Sequence, residues 1–338
     1  MNTAVKLAEQ GLIPDFLTRV GIRRLLGKRL KNESVNNSLK AMTDAMSRGP
    51  LAIQTNAAND QHYEVPVEFF LAMLGDRLKY SCSYFENGAA DLNTAEEHML
   101  SLTVARAGLS DSQKILELGC GWGSLSLFMA KQYPMSDITA VSNSQLQREF
   151  IEARACELGL RNLKVVTCDI NDFTTTETFD RVVSIEMFEH LRNYKLLFKR
   201  ISSWLRPNGR LFFHVFCHKD TPYFFSDNSD DDWMARNFFT GGVMPSFDLP
   251  AAFSEDLKIV SRWQVNGMNY AKTCDAWLQN LDTQKAHITD VFKKGESHEH
   301  AHIQLNRWRM FVMACRELFA FNEGKEWFVG HYLLEPVS

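Results

Sequence analysis

Two carboxylates and an imidazole lie close together in the segment Ser184-Ile185-Glu186-Met187-Phe188-Glu189-His190. If a helical turn begins here, Glu186, Glu189 and His190 share one face, because residues three and four apart are neighbours on a helix. A histidine beside a carboxylate can act as a general base near neutral pH. The segment therefore predicts a site where a ligand binds and a proton can be transferred. The structural alternative is that both glutamates pair with Arg192 or Lys195 while His190 fills space.

A glycine loop precedes this segment in the chain. Residues 114–118 form an apolar run that leads directly into Gly119-Cys120-Gly121-Trp122-Gly123. Glycines at alternate positions let the backbone turn sharply and approach a ligand, and the helix that follows offers its N-terminus to polar groups. Glu117 suits a ligand that carries an ammonium group. Taken alone the loop is a weak motif, because turns after strands often need glycine for steric reasons.

The elements that must position both segments are an alternating series of strands and helices. From residue 113 onward, short apolar runs alternate with helical patterns, which is typical of a parallel sheet wound with helices. The predicted strands are 114–118, 137–141, 163–167, 181–185, 209–216, 257–265 and 327–334. The predicted helices are 124–132, 144–158, 194–205 and a long helical stretch across 272–321. Such sheets bind ligands beyond the carboxyl ends of their strands, so the glycine loop and the Glu186 segment are expected to be neighbours.

The N-terminal region is predicted to be helical across residues 4–46, with a start at Pro14 and Asp15. It carries the basic residues Arg19, Arg23, Arg24, Lys28, Arg29 and Lys31. We favour a solvated helix face that covers a neighbouring core over a helix that docks on an anionic membrane. A polar linker is expected at 47–60. The expected division is a helical region at 1–60, a cofactor-binding core at 61–218, and a substrate lobe at 219–338 that includes the last two strands.

The composition excludes several other classes of protein. The 37 basic residues against 41 acidic residues give a net charge of −4, which does not indicate nucleic-acid binding. The seven cysteines are scattered and form no C-x-x-C pair, so we predict neither a disulfide framework nor a zinc site, and a cytoplasmic location fits best. No transmembrane span or signal peptide is predicted. The alternating histidines of His298-Glu299-His300-Ala301-His302 point to different helix faces, so no metal site is predicted.

The spacing E-x-G-x-G-x-G at residues 117–123 resembles motif I of the class I methyltransferases that use S-adenosylmethionine. Ser142 and Gln147 stand where that fold usually places an acid for the ribose, and Cys168-Asp169-Ile170 matches the adenine-contacting motif, although Asp169 could also cap a helix. The serine–glutamine variant resembles the cyclopropane-fatty-acid synthases and their plant N-methyltransferase relatives. The candidate cofactor-binding residues are Tyr80, Ser81, Glu117, Gly119, Gly121, Gly123, Ser142, Asn143, Gln147, Asp169, Ile170 and Ile185.

Longer segments resemble the coclaurine N-methyltransferase family within the cyclopropane-fatty-acid synthase superfamily. They are SIEMFEHLRNY, FCHK, DDDW followed by FFTGG and MPS, NYAKT and NEGKEW, and the likeness runs from about residue 61 to the end. The resemblance implies a Rossmann-like α/β fold, S-adenosylmethionine as cofactor, and a small aromatic or heterocyclic amine as methyl acceptor. It makes Glu186, Glu189 and His190 the catalytic residues and Trp327 an aromatic wall of the amine pocket.

The parent superfamily supplies a second template. Cyclopropane synthases hold a bicarbonate base with a cysteine, a glutamate, a histidine and a tyrosine, and this chain keeps Cys82, Glu189, His214 and Tyr270 at matching positions. Cys82 could equally be a small buried hydrophobe, and Tyr270 a core residue. The candidate substrate pocket comprises Cys82, Phe188, His214, Trp233, Phe238, Phe239, Tyr270 and Trp327, several of which are expected to form an aromatic box for a cation.

The alternatives to amine methylation are a lipid-alkylating enzyme docked on a membrane and a binding protein on a degenerate fold. The acidic residues Asp227, Asp230, Asp231 and Asp232 could attract a cation or simply be solvated. A homodimer is also among the expectations.

Overall fold

A seven-stranded sheet forms the centre of the computed structural model, which describes residues 3–36, 38–53, 65–86, 88–225, 233–294 and 297–337. Its strands are β1 (Lys114–Leu118), β2 (Asp137–Ser142), β3 (Leu163–Thr167), β4 (Phe179–Ile185), β5 (Leu205–His218), β8 (Leu257–Val265) and β9 (Trp327–Pro336). The short strands β6 (Tyr223–Phe224) and β7 (Val243–Met244) form a separate pair. The order is β3-β2-β1-β4-β5-β9-β8, and β9 is antiparallel to both of its neighbours. The predicted Rossmann-like α/β class is confirmed.

The strands follow the predicted apolar runs closely, because helices cover both faces of the sheet and leave no polar side to the central strands. β1, β3 and β8 have the predicted bounds. β5 is longer than predicted at both ends. Its added N-terminal part includes Pro207 and Asn208, where the pairing with β4 shifts register and Asn208 takes a left-handed φ of 66°.

Twelve helices surround the sheet in the described residues. They are α1 (Thr3–Glu9), α2 (Asp15–Asn36), α3 (Leu39–Ala45), α4 (Val67–Met73), α5 (Leu92–Ala107), α6 (Ser124–Gln132), α7 (Gln145–Glu157), α8 (Tyr194–Trp204), α9 (Trp233–Phe238), α10 (Gly267–Thr283), α11 (Lys285–Phe292) and α12 (His298–Ala320). The long helical stretch predicted at 272–321 is divided into α10, α11 and α12. Among the described helices, none combines the length and apolarity that a bilayer crossing requires.

The N-terminal helices pack against α12 through charged groups. Arg19 and Arg23 of α2 bind the buried carboxylate of Glu317 at 3.1 and 2.7 Å. Arg307 of α12 binds Glu9 of α1 at 3.1 Å. Arg19 and Arg23 therefore tie α2 to the core, while the apolar side chains of Phe16 and Val20 on the same helix are exposed, so the solvated basic face of the favoured interpretation is found only in part.

The predicted polar linker is wrong at Leu51 and Ala52, whereas Arg48, Gly49 and Pro50 are exposed and residues 54–60 lie outside the described residues. Leu51 and Ala52 are buried. The Leu51 carbonyl accepts a hydrogen bond from the Arg192 amide at 2.6 Å, and Ala52 exchanges two hydrogen bonds with the Asn171 side chain. This segment is therefore packed against the sheet, beside the pocket described next.

Candidate active site

One pocket opens beyond the carboxyl ends of β1, β2, β3 and β4. It is lined by the predicted cofactor residues Tyr80, Ser81, Glu117, Gly119, Gly121, Ser142, Asn143, Gln147, Asp169, Ile170 and Ile185. Gly123 does not line it: a Cβ there would meet Ile151 at 2.7 Å, so this glycine serves helix packing. Gly121 has a left-handed φ of 53°, and no heavy atom lies within 4 Å of where its Cβ would stand. Any side chain at Gly121 would enter the pocket.

Several buried donors of residues that line this pocket have no partner among the residues that the structure describes. Ser142 donates to Gln147 Oε1 at 2.6 Å, which leaves Gln147 Nε2 buried and unpaired. Trp122 Nε1 and Ser124 Oγ are also buried without a partner. Buried donors are nearly always paired, so each unpaired one needs an explanation. Hydroxyl and carboxylate groups of a ligand such as S-adenosylmethionine would supply the missing acceptors, so the residues fit this cofactor.

Glu117 and Asp169 are fixed by local contacts at the strand ends. Glu117 accepts a hydrogen bond from Ser126, and burial raises its pKa to about 8. Asp169 accepts from the Asn171 amide at 2.8 Å in the turn after β3. A largely protonated Glu117 can ionise when an ammonium group binds beside it, and its role toward such a ligand stays a prediction.

We call the part of the site around Glu186, Glu189 and His190 the acceptor side. The geometry of Glu186 shows that the helical face predicted for these three residues is wrong. The 3₁₀ turn begins only at Phe188 and ends at His190, and Glu186 precedes it with a left-handed φ of 46°. Glu186 therefore does not share a helix face with Glu189 and His190. The sequence spacing could not show this, because the Glu186 amide continues the sheet by donating to the His214 carbonyl at 2.8 Å.

Three donors converge on the Glu186 carboxylate. Oε1 accepts from the Cys82 amide and from His214 Nε2, both at 3.0 Å, and Oε2 accepts from the Tyr270 hydroxyl at 2.6 Å. Burial raises the pKa of Glu186, whereas the charge of the buried Lys79 and these hydrogen bonds lower it. Donors of this kind favour the ionised form. Glu186 is therefore the more acidic of the two neighbouring carboxyl groups.

Cys82, His214 and Tyr270, which the bicarbonate template groups with Glu189, converge on the carboxylate of Glu186. The Glu186 carboxylate therefore lies where these donors would hold an anion, and the match of Glu189 to the template stays a prediction. Among the described residues, Glu189 Oε2 is buried and has no hydrogen-bond partner. Burial and the nearby charge of Glu186 raise the pKa of Glu189 well above its usual range. The alternative in which both glutamates form ion pairs with Arg192 or Lys195 is wrong.

The neighbouring cations have other partners. Arg192 Nε donates to the Gly241 carbonyl at 2.6 Å. Lys195 pairs with Glu255 at 2.9 Å. Neither side chain pairs with the glutamates: Glu186 is held by the three donors described above beside the charge of Lys79, and Glu189 Oε2 has no partner among the described residues.

His190 lines the pocket, and the Phe239 ring lies nearly parallel to it at 6.0 Å between ring centres. Most of the predicted aromatic box lies elsewhere, in the core. Phe188 stacks on Phe213 at 4.2 Å, and Phe238 stacks on Phe311 at 4.1 Å. Trp233 donates to Glu9, and Trp327 donates to Tyr223. The predicted pocket roles of Phe188, Trp233, Phe238 and Trp327 are therefore wrong: their rings are buried against other side chains.

The histidine tract at the start of α12 takes no part in this pocket. His300 and His302 contact Gln304 and Asn306, one turn along α12. In the part of the chain that the structure describes, no three metal-ligating side chains form a group. The acidic run at Asp227 and Asp230 to Asp232 lies outside the described residues.

Sequence reasoning missed several residues that line the pocket: Ala52, Lys79, Trp122 and Thr240. Trp122 stands inside the glycine loop, Lys79 directly precedes Tyr80 and Ser81, and Thr240 belongs to the FFTGG segment, so proximity to a motif was the available signal. Ala52 offered no such signal, because it lies in an apparently polar stretch.

The parallel sheet, the glycine loop and the unpaired donors at the strand ends define a class I methyltransferase that uses S-adenosylmethionine. The family model for mycolic acid cyclopropane synthetase matches residues 52–326, and the chain belongs to this family. It is an S-adenosylmethionine-dependent N-methyltransferase.

Individual relatives agree with this assignment. The chain is 36% identical to (S)-coclaurine N-methyltransferase of Thalictrum flavum subsp. glaucum, over 98% of this chain and 94% of that protein. It is 30% identical to the cyclopropane-fatty-acyl-phospholipid synthase of Escherichia coli, over 69% of this chain and 59% of that protein. A crystal structure of coclaurine N-methyltransferase bound to N-methylheliamine and SAH superposes with a TM-score of 0.94 at 35% identity, covering 98% of each chain.

Proposed function

We propose that the methyl acceptor is a small aromatic or heterocyclic amine that binds as a cation beside Glu186, Glu189 and His190. The observation that carries this proposal is the donor set around Glu186. The Cys82 amide, His214 and Tyr270 match the bicarbonate-binding groups of the cyclopropane synthases, and here all three bind a carboxylate of the chain itself. A fixed buried anion suits a cationic acceptor and leaves these donors without a role in holding bicarbonate.

The chemistry divides between the two sides of the pocket. S-adenosylmethionine supplies an electrophilic methyl group on a sulfonium. His190, at the pocket wall, takes the proton from the ammonium nitrogen, which frees the lone pair for attack. Glu186 stabilises the positive charge that returns to the nitrogen in the methylated product. Glu189, with one unpaired buried oxygen, ionises when the ammonium binds against it.

The names of the relatives narrow the range of candidate methyl acceptors. These names refer to coclaurine and pavine N-methylation, and the similar crystal structure contains N-methylheliamine. The half-buried Phe239 ring beside His190 offers an aromatic face to such a flat amine. Because only Phe239 of the predicted aromatic box lies beside His190, we expect selectivity to depend on shape more than on an aromatic cage.

A paired screen tests this function. Purified protein is given labelled S-adenosylmethionine with a panel of cyclic amines and, separately, with vesicles of unsaturated phospholipid, each with and without added bicarbonate. We expect label on amine nitrogen, unchanged by bicarbonate. Label on the acyl chains, or turnover that needs bicarbonate, would assign the lipid reaction instead.

The remaining expectations stay proposals. The division at residues 60 and 218, a homodimer and a cytoplasmic location extend beyond the fold and the family. The seven cysteines are free thiols, five of them buried, which supports a reducing compartment.

A further inference from the structure

A row of side chains crosses the outer part of the sheet and ends at Glu186. In the strand register, Trp263 of β8 faces His331 of β9, and His331 faces His214 of β5. His214 in turn faces Ile185 of β4, the residue directly before Glu186. Residues that face each other on neighbouring strands place their side chains on the same side of the sheet. The register therefore brings His331 and His214 into one line toward the active site.

Hydrogen bonds join this row into a continuous chain. Nη1 of Arg106, on α5, lies 2.8 Å from His331 Nδ1. The Arg106 guanidinium also lies over the Trp263 ring. His331 Nε2 lies 3.0 Å from His214 Nδ1, and His214 Nε2 lies 3.0 Å from Glu186 Oε1. Both imidazoles are completely buried.

The arginine determines the direction of every hydrogen bond in the chain. A guanidinium has donors only and does not lose its proton in a protein, so His331 Nδ1 must accept. The His331 proton then lies on Nε2 and is donated to His214 Nδ1. The same reasoning places the His214 proton on Nε2, from which it is donated to Glu186. All three hydrogen bonds therefore donate toward the carboxylate.

Burial keeps both imidazoles neutral, so only one arrangement of their protons is possible. It lowers the pKa of both histidines well below the usual range, and the positive charges of Arg106 and Lys79 lower it further. A neutral imidazole has one donor and one acceptor, so once His331 Nδ1 accepts, no choice of tautomer is left.

We propose that Arg106 is a positioning residue for methyl transfer, because it fixes the tautomers of His331 and His214 and so keeps an N–H donor on the Glu186 carboxylate. The chain cannot carry a proton away from Glu186, since each link already donates toward it and arginine accepts none. The kinetic consequence rests on the function proposed above, whereas the tautomers follow from the geometry alone.

The groups around both ends of the chain set the background for any pH measurement. Glu186 is faced by charged and titratable groups from several elements: Lys79, Cys82, Glu189, His190, His214, Tyr270, Cys274 and Cys315. Arg106 is faced by Tyr84, Glu86, His214 and His331. Single changes at Arg106 or His331 leave all the others in place.

The test combines nitrogen-15 NMR of the histidine side chains with the pH dependence of kcat/KM for the amine. In the unaltered protein, both imidazoles should be Nε2–H tautomers. In Arg106→Met, His331 should lose its single tautomer, and the acid limb of the kcat/KM profile should move up by about one pH unit as Glu186 becomes easier to protonate. Arg106→Lys, which still only donates, should restore both readouts. Arg262→Met is the matched control: Arg262, next to Trp263 on the edge strand β8, lies over the Phe247 ring and pairs with Asp248, and it contacts no histidine among the described residues.

A double-mutant cycle shows whether Arg106 acts through the histidines. His331→Phe removes the second link, so Arg106→Met should have no further effect on the acid limb in that background. Additive shifts would show that Arg106 acts only by its distant charge and would overturn the proposal. An Nδ1–H tautomer at either histidine of the unaltered protein would overturn it without any variant. Absence of amine turnover would contradict the proposed function and leave the NMR result to decide this inference.

Discussion

The cofactor side and the acceptor side of the pocket treat their buried polar atoms in opposite ways. On the cofactor side, Trp122 Nε1, Ser124 Oγ and Gln147 Nε2 are buried and have no partner in the described part of the chain. On the acceptor side, both oxygens of Glu186 receive donors from the chain itself. An unpaired buried donor is costly until a ligand arrives, whereas a paired carboxylate is held in place before any ligand binds.

The cofactor side is therefore suited to binding a ligand, whereas the acceptor side holds a charge in place before the ligand binds. The cofactor must enter and leave in each turnover, so its site keeps donors that only the ligand satisfies. Glu186 needs no ligand to be oriented, and it can stabilise positive charge without reorganising. Glu189 lies between the two cases, because one of its buried oxygens is open and its pKa is raised by burial and by Glu186.

The largest effect is expected on the cofactor side, from Gly121→Val. The new side chain would project into the pocket from a left-handed backbone, so the affinity for S-adenosylhomocysteine should fall by about a hundredfold or more, as measured by calorimetry. Gly159→Val is the matched control, because Gly159 also has a positive φ and open space but lies outside the pocket. Equal loss of affinity in both variants would show backbone strain to be the cause.

The cofactor side could be predicted from the sequence because its parts are local. Strand β1, the glycine loop and helix α6 are continuous in the chain. Ser142 ends β2 and Gln147 lies in the first turn of the next helix, α7, while Cys168 and Asp169 directly follow β3. Each motif therefore carries its own position in the fold. The error at Gly123 is of a different kind, since packing against Ile151 and contact with a ligand both require glycine.

The acceptor side could be predicted only in part, because it is assembled from distant segments. Cys82, His214 and Tyr270 meet Glu186 from three other elements, and the spacing E-x-x-E-H cannot show that a strand continues through the first glutamate. Nor does spacing give the direction of a ring: Phe188 and Phe239 lie in similar motifs, yet one stacks in the core and the other lies beside His190. Arg106 and His331 carried no motif at all.

A smaller but separable effect is expected on the acceptor side, from His190→Ala. Loss of a general base should lower kcat by about 10² to 10⁴. The affinity for S-adenosylhomocysteine should stay nearly unchanged, because none of the unpaired donors belongs to His190. Single-turnover kinetics and calorimetry on the same preparation measure the two quantities. His300→Ala, on the exposed face of α12, is the control. A fall in affinity as large as the fall in kcat would contradict the division between the two sides.

The smallest effect concerns the proton on Glu117. Burial raises its pKa to about 8 in the ligand-free protein, so the carboxyl is mostly protonated at pH 7. If the ammonium group of the cofactor binds against the ionised form, binding must release this proton below pH 8, and affinity should rise by up to about tenfold per pH unit between pH 6 and 8. Above pH 8 the ligand's own α-ammonium begins to lose its proton, so the gain should stop there.

Calorimetry in buffers of different ionisation enthalpy counts the protons released as S-adenosylhomocysteine binds. We expect release in the unaltered protein at pH 7 and none in Glu117→Gln, which keeps the size of the side chain but cannot ionise. Glu96→Gln is the control. Burial raises the pKa of Glu96 to about 7, but Glu96 does not line the pocket, and its carboxylate accepts hydrogen bonds from the amides of Gly75 and Arg77. Release that persists in Glu117→Gln and disappears in Glu96→Gln would move the proton to Glu96, and the carboxyl two residues before the glycine loop would then be a packing group held by Ser126.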